Sequence, residues 1–191
     1  MTHNPQPAST PINIEEYYRN YHQHQGPTTH CADFSISMVC NIYYDKKIES
    51  ASRCEVGKIT AFLDRYFFLG CRFPSKEGRT EGGATPVGII AALLDLRIPF
   101  SFNLFGSLGF VENALKSNKI IIASLGKLFG SKSGPWGHVM VIVGMEGNYF
   151  LLLDPAQQAG SGVTRLDKEF FLSKWWHRPF RPCWVIQYNF G

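Results

Sequence analysis

Apolar residues recur along this chain in two rhythms, and the change between them divides it. From Cys31 onward Phe34, Met38 and Ile42 fall at steps of four, with Ile36, Val39 and Tyr43 as a second row. That spacing predicts a mostly buried amphipathic helix starting at Cys31 and leaving through the polar run Asp45, Lys46, Lys47. Val56, Ile59, Phe62, Leu63, Tyr66 and Phe67 repeat the helical rhythm and predict a second helix over 55–69. Thr85 followed by Pro86 is an N-cap with proline at the first helical position, the start of a helix running to about Leu96. Beyond it the apolar residues gather into short runs. Segments 97–102, 119–125, 137–144, 148–154 and 183–188 read as strands, with helices at 109–117 and 167–176 and a turn at 160–162. Residues 15–24 read as a short helix or an extended approach. Helices thus crowd the first half and strands the second. The predicted class is α+β, with an N-terminal helical subdomain carrying Cys31 packed on a C-terminal antiparallel sheet.

Length and composition narrow this picture. The chain has 191 residues, with 45% hydrophobic and 18% charged content, as expected of a globular protein with a sizeable core. Residues 1–13 are rich in Pro, Thr, Ser, Asn and Gln and read as disordered, leaving 14–191 as a single domain. The net charge is +4, and the basic residues are scattered apart from a small group at Lys116, Lys119, Lys127 and Lys132. With no stripe of basic and aromatic residues, nucleic acid is not an expected partner. No apolar run approaches the roughly 18 residues of a membrane helix. The first residues lack a basic start and an apolar core, so no classical signal peptide is expected. The expected location is the cytoplasm, or outside the cell by a route that needs no such signal.

Cysteine and histidine spacing bears on metals and disulfides. The 5 cysteines are widely spaced and contain no Cys-x-x-Cys, which reads as a mostly reduced protein rather than a disulfide framework, with Cys40 in the core. His22, His24 and His30 read as a polar surface segment, because no carboxylate or cysteine completes a familiar metal spacing. No metal or cofactor is expected.

The candidate chemistry begins at Cys31. A cysteine at a helix start sits over unpaired backbone N–H groups and the positive end of the dipole, which favour the thiolate. Gln25 precedes it across a Gly26-Pro27 turn that can fold its amide back beside the sulfur, where with the Cys31 N–H it would form an oxyanion hole; Gln23 is the competing candidate. His138 opens one strand and Asp154 closes the next, joined by a turn at Glu146, Gly147 and Asn148. A hairpin centred between 146 and 147 sets His138 opposite 155, with Asp154 beside it. That is the geometry of a nucleophile, a base and a group that holds the base's tautomer, with Asp167 or Asn148 as the alternative orienting residue. Gly82 and Gly83 read chiefly as glycines supplying positive φ before a helix. The loop over 126–137 reads as a cover for the cleft, and Trp136 as either a water shield for His138 or a strand-edge residue.

In chain order, Gln25, Cys31 at a helix start, Gly137-His138 opening an apolar strand and a strand ending in Asp154-Pro155-Ala156 resemble the papain-like cysteine peptidases. The pattern is most similar to the compact bacterial branch that includes the leader-cleaving domains of bacteriocin exporters, and similar also to papain-like effector proteases of pathogens. The resemblance spans roughly residues 20–190. It implies a cysteine peptidase acting on a protein or peptide through a thioester, with Cys31, His138, Asp154 and Gln25 as the catalytic set. One departure is Ala32, where relatives commonly have glycine after the cysteine. A glutamine deamidase or transglutaminase on the same residues, or a non-catalytic binding module of the same fold, are the alternatives.

Overall fold

The computed structural model describes residues 13–45, 54–72, 83–127, 136–175 and 181–187. Among these residues, six α-helices and six strands follow in the order α1 (Ile14–Arg19), α2 (Cys31–Tyr43), α3 (Val56–Arg65), α4 (Pro86–Asp95), β1 (Phe100–Asn103), α5 (Leu108–Lys116), β2 (Ile120–Lys127), β3 (Trp136–Glu146), β4 (Tyr149–Leu153), β5 (Thr164–Asp167), α6 (Lys168–Lys174) and β6 (Cys183–Ile186), with a short 3-10 helix at Phe67–Leu69 after α3. The strands form one antiparallel sheet in the order β1-β6-β2-β3-β4-β5. The class is α+β, as the sequence predicts.

Strand alternation divides the core. Ile120, Ile122, Val139, Val141, Val143, Leu151, Leu153, Trp184 and Ile186 join one core with α2, α3 and α4, together with Tyr18 of α1. Their neighbours in sequence, among them Ile121, Met140, Ile142, Phe150, Leu152 and Val185, join a second core with α5, Phe171 of α6 and Trp175. Both faces of the sheet are therefore apolar, which is why its central strands read as continuous apolar runs rather than as alternating ones. The N-terminal helices cover one face, and the two later helices cover the other.

Local signals explain most boundaries. Thr85 accepts from the Gly88 N–H and Pro86 opens α4, as its sequence demands. Ser107 caps α5 in the same way. At Gly88 an added Cβ would lie 2.1 Å from the Cys71 carbonyl oxygen, so α4 can press on that backbone only because the residue is glycine. β5 was not anticipated. It is a short edge strand of Thr164, Arg165, Leu166 and Asp167, half polar, and is made by its pairing with β4. Asp167 ends it and caps α6 through the Glu169 and Phe170 N–H groups.

Two expectations need correction. The β3–β4 hairpin is centred one residue later than the sequence suggested, with Glu146 paired to Tyr149 and Gly147, at φ +54°, in the turn. An irregularity between Ile142 and Gly144 then shifts the register back by one residue, and the ladder ends at Val141 and Leu153. The cysteines are also not all reduced. Cys40 of α2 and Cys54, just before α3, are joined by a disulfide with Cα atoms 5.4 Å apart. Sequence spacing gave no hint of it because the packing of α2 against the start of α3 sets that approach. Both residues are buried, so Cys40 is a core residue as well. The expectations for 1–12, for Gly82, for 128–135 and for the side chain of Trp136 lie outside the described residues. Among those described, no helix is long and apolar enough to cross a membrane.

Candidate active site

Cys31 is the first residue of α2 and is 6% exposed. Its sulfur accepts a hydrogen bond from the Val139 N–H at 3.3 Å. Ser35, one turn along the helix, donates to the Val139 carbonyl at 3.0 Å. β4 has already left the ladder at this point, and α2 takes up both backbone groups of Val139. The helix start is thereby fastened to the strand residue that follows His138.

The helix start is also held from below. His30, its N-cap residue, gives the helix no side-chain cap; its Nδ1 instead contacts Asp33 Oδ2 at 3.1 Å. Asp33 is fully buried and receives the Arg72 fork, Nη1 to Oδ1 at 3.0 Å and Nη2 to Oδ2 at 2.7 Å, as well as the Thr60 hydroxyl at 2.7 Å. Arg72 reaches Asp64 through Nε at 2.5 Å. An acid in the first turn is favoured by the dipole, and a buried carboxylate requires such partners. None of this was anticipated. Asp33 among apolar helix positions was the visible signal, but Arg72 lies in a loop whose approach no periodicity reports.

His138 lies in β3, and its Nε2 contacts Asp154 Oδ1 at 2.6 Å. The same carboxylate oxygen accepts from the Ala156 N–H at 2.9 Å, so the Asp154-Pro155-Ala156 turn orients it. The Cys31 side chain lies close enough to the ring to act on its charge. Burial works against a charged imidazole, but the hydrogen bond to Asp154, the neighbouring Cys31 sulfur and the negative charge of both outweigh it, and the His138 pKa is raised to about 10. For Asp154 burial also opposes the charge, and the hydrogen bond and charge of His138 prevail, lowering its pKa. The structure thus brings Cys31, His138 and Asp154 together. The alternative orienting residues are engaged elsewhere, since Asn148 donates to Asp167 at 2.8 Å.

Gln25 sits on the segment leading to Cys31. Its N–H donates to the Pro155 carbonyl at 2.9 Å, which fastens this segment to the turn that carries Asp154. One side-chain N–H donates to the Thr28 carbonyl at 3.0 Å, and the Thr28 hydroxyl returns a bond to the Gln25 carbonyl at 2.8 Å. Gly26 makes the turn possible with φ +63°. Gln23, the competing candidate, accepts from the Ser37 hydroxyl at 3.1 Å. The three histidines of the 22–30 segment go separate ways: His22 binds the Asp154 carbonyl at 2.8 Å, His30 binds Asp33, and His24 is exposed.

A cysteine at a helix start, set beside a histidine of an antiparallel sheet that contacts an aspartate at the end of the next strand, defines a papain-like protein. Residues 15–180 match the family described as Peptidase_C39 like, and the chain belongs to that family. It is similar in structure to a putative C39-like peptidase from Bacillus anthracis, with TM-score 0.59 and 12% identity over 88% of this chain and 94% of that one. It is also similar to the peptidase domain of Streptococcus ComA, a bifunctional ABC transporter involved in quorum sensing, with TM-score 0.54 and 16% identity over 88% of this chain and 99% of that domain. No curated protein matches the chain.

Proposed function

We propose that the protein is a cysteine peptidase that cleaves peptide bonds of a protein or peptide substrate through a thioester. Cys31 is the nucleophile, His138 the base and then the acid, and Asp154 the group that orients His138. The second Gln25 side-chain N–H, the one not given to Thr28, and the Cys31 N–H are the oxyanion donors. The observation that carries this reading is the contact of the His138 ring with Asp154 at 2.6 Å, next to the Cys31 helix start, whose sulfur accepts from the N–H of Val139, the residue after His138. With Nε2 held by Asp154, Nδ1 is the nitrogen left for the sulfur. An imidazolium beside the sulfur supplies the thiolate.

The steps follow from these roles. The Cys31 thiolate attacks the carbonyl carbon, and the carbonyl electrons move onto oxygen, where each donor contributes on the order of 3 kcal/mol. The tetrahedral intermediate collapses, the C–N bond breaks, and His138 gives its proton to the departing amine. Water then attacks the thioester, His138 takes the water's proton, and the acid product leaves as the Cys31 sulfur recovers its electron pair. No step uses a metal or cofactor. The Cys40–Cys54 disulfide supports a working place outside the reducing cytoplasm.

A proteome-wide comparison of new N-termini produced by the wild type and by Cys31→Ala tests the reaction class. Cut chains that depend on Cys31 are expected. Glutamine side chains heavier by one mass unit, with no new N-termini, would make the protein a deamidase and overturn the peptidase reading.

A further inference from the structure

We propose that His22 is a positioning residue for the reaction: its ring N–H holds the main chain of Asp154 and so keeps the carboxylate aligned with His138. The proposal rests on the catalytic reading above. Asp154 is the last residue before a turn, beyond the end of the β3–β4 ladder, so strand pairing does not fix it. Its carbonyl accepts from two sources, the Gln157 N–H at 3.0 Å within the turn and His22 Nε2 at 2.8 Å from a segment far away in the chain. A carbonyl accepts, so Nε2 carries the proton. His22 Nδ1 is buried and has no partner among the described residues. A proton there would be buried without an acceptor, which selects the neutral ring protonated on Nε2.

The ring is itself well anchored. α1 ends at Arg19, and the Tyr21 and His22 N–H groups turn back to the Tyr18 and Arg19 carbonyls. Tyr18 is buried in the core and stacks edge-on against Tyr17. Three residues beyond His22, the Gln25 N–H binds the Pro155 carbonyl. Consecutive carbonyls of the acid's turn, at 154 and 155, are thus bound by one segment, and that segment carries Gln25 to the approach of Cys31. The groups proposed for the oxyanion and for the base are tied through this pair of bonds. A displacement of about 1 Å in such an arrangement costs on the order of 10² in rate, so a bond that locks Asp154 acts on the chemistry without touching substrate.

Two measurements test the inference. In wild-type protein with ¹⁵N-labelled histidine, the His22 ring is expected as the neutral tautomer with the proton on Nε2, showing a scalar coupling across the bond to the ¹³C carbonyl of Asp154. A proton on Nδ1, or no coupling, overturns the proposal, and this measurement needs no variant. The second compares the His138 titration midpoint in His22→Leu, His22→Gln and Asp154→Asn. Asp154→Asn is expected to lower the midpoint by at least about 1 pH unit, as the loss of a neighbouring carboxylate does. His22→Leu is expected to lower it measurably at unchanged folding, and His22→Gln, which returns a side-chain N–H donor, to restore the wild-type value. An unmoved midpoint in His22→Leu, with Asp154→Asn shifted, sinks the role of His22 alone. An unmoved midpoint in Asp154→Asn sinks the catalytic reading, and the proposal with it.

Discussion

Replacing Arg72 with methionine removes the fork that satisfies Asp33, and the structure says what that costs. Asp33 is 0% exposed and Arg72 2%, and they share two bonds of 3.0 and 2.7 Å. Met fills the space but leaves the carboxylate buried with only the Thr60 hydroxyl and His30 as partners. Breaking such a pair on one side costs about 3–5 kcal/mol, because the remaining charge is uncompensated. For a chain of this size that is a fall in melting temperature of roughly 6–20 °C. Urea unfolding of the single variant and of Asp33→Leu/Arg72→Met reads the effect. The double variant removes both buried charges and is expected to lose less than Arg72→Met alone, since replacing a whole buried pair with apolar groups is often close to neutral. A loss under about 1 kcal/mol in Arg72→Met, or additive losses in the double variant, would refute the claim that this network anchors the start of α2.

The residues proposed as catalytic give further expectations. Gln25→Ala should lower kcat by about 10² to 10³ with a smaller change in KM, read by steady-state cleavage of a substrate found by the N-terminal comparison. Asp154→Asn should bring the alkaline limb of activity down from near the His138 value of about 10 toward the ordinary histidine range, read as a pH–rate profile. The same raised pKa makes the proton on His138 stabilising in full below about 6.5, with that contribution lost as pH rises toward about 10. For Asp154, whose pKa is lowered, the contribution is present above its ordinary 3.8 and lost as pH falls through its folded value. Cys40→Ser should cost about 3 kcal/mol in urea unfolding, the entropy of a loop spanning 14 residues, and Cys40 and Cys54 should map to one peptide pair under non-reducing conditions.

The parts of the fold that were legible in sequence are those where local chemistry and burial agree. α2, α3 and α4 announce themselves by their spacing and, for α4, by Thr85 and Pro86. β2 and β3 are continuous apolar runs because both their faces are covered. β5 was illegible because it exists through its pairing with β4, and the Cys40–Cys54 bond because only packing brings its ends together. At the site, Cys31, His138 and Asp154 were readable from chain order and a rough hairpin register. The register itself was off by two residues at the turn, where Glu146 faces Tyr149 rather than Gly147, and the irregularity near Val143 moves it back by one. The supports were not readable at all. Arg72 reaches Asp33 from a loop, and His22 reaches Asp154 across 132 residues of chain, contacts that depend on tertiary packing alone.

The central claim concerns Cys31 as a nucleophile activated by His138, and selective alkylation tests it most directly. Three described cysteines are free: Cys31, Cys71 and Cys183. Burial pushes the Cys71 thiol up, with Arg72 opposing it weakly, and pushes Cys183 up to about 12. Both should be slow toward iodoacetamide at neutral pH, because the thiolate is the reactive form. A short pulse followed by peptide mass mapping should find the label on Cys31 first in the wild type, and should find that preference lost in His138→Ala. Labelling of Cys71 or Cys183 ahead of Cys31, or an undiminished rate at Cys31 in His138→Ala, would contradict the account.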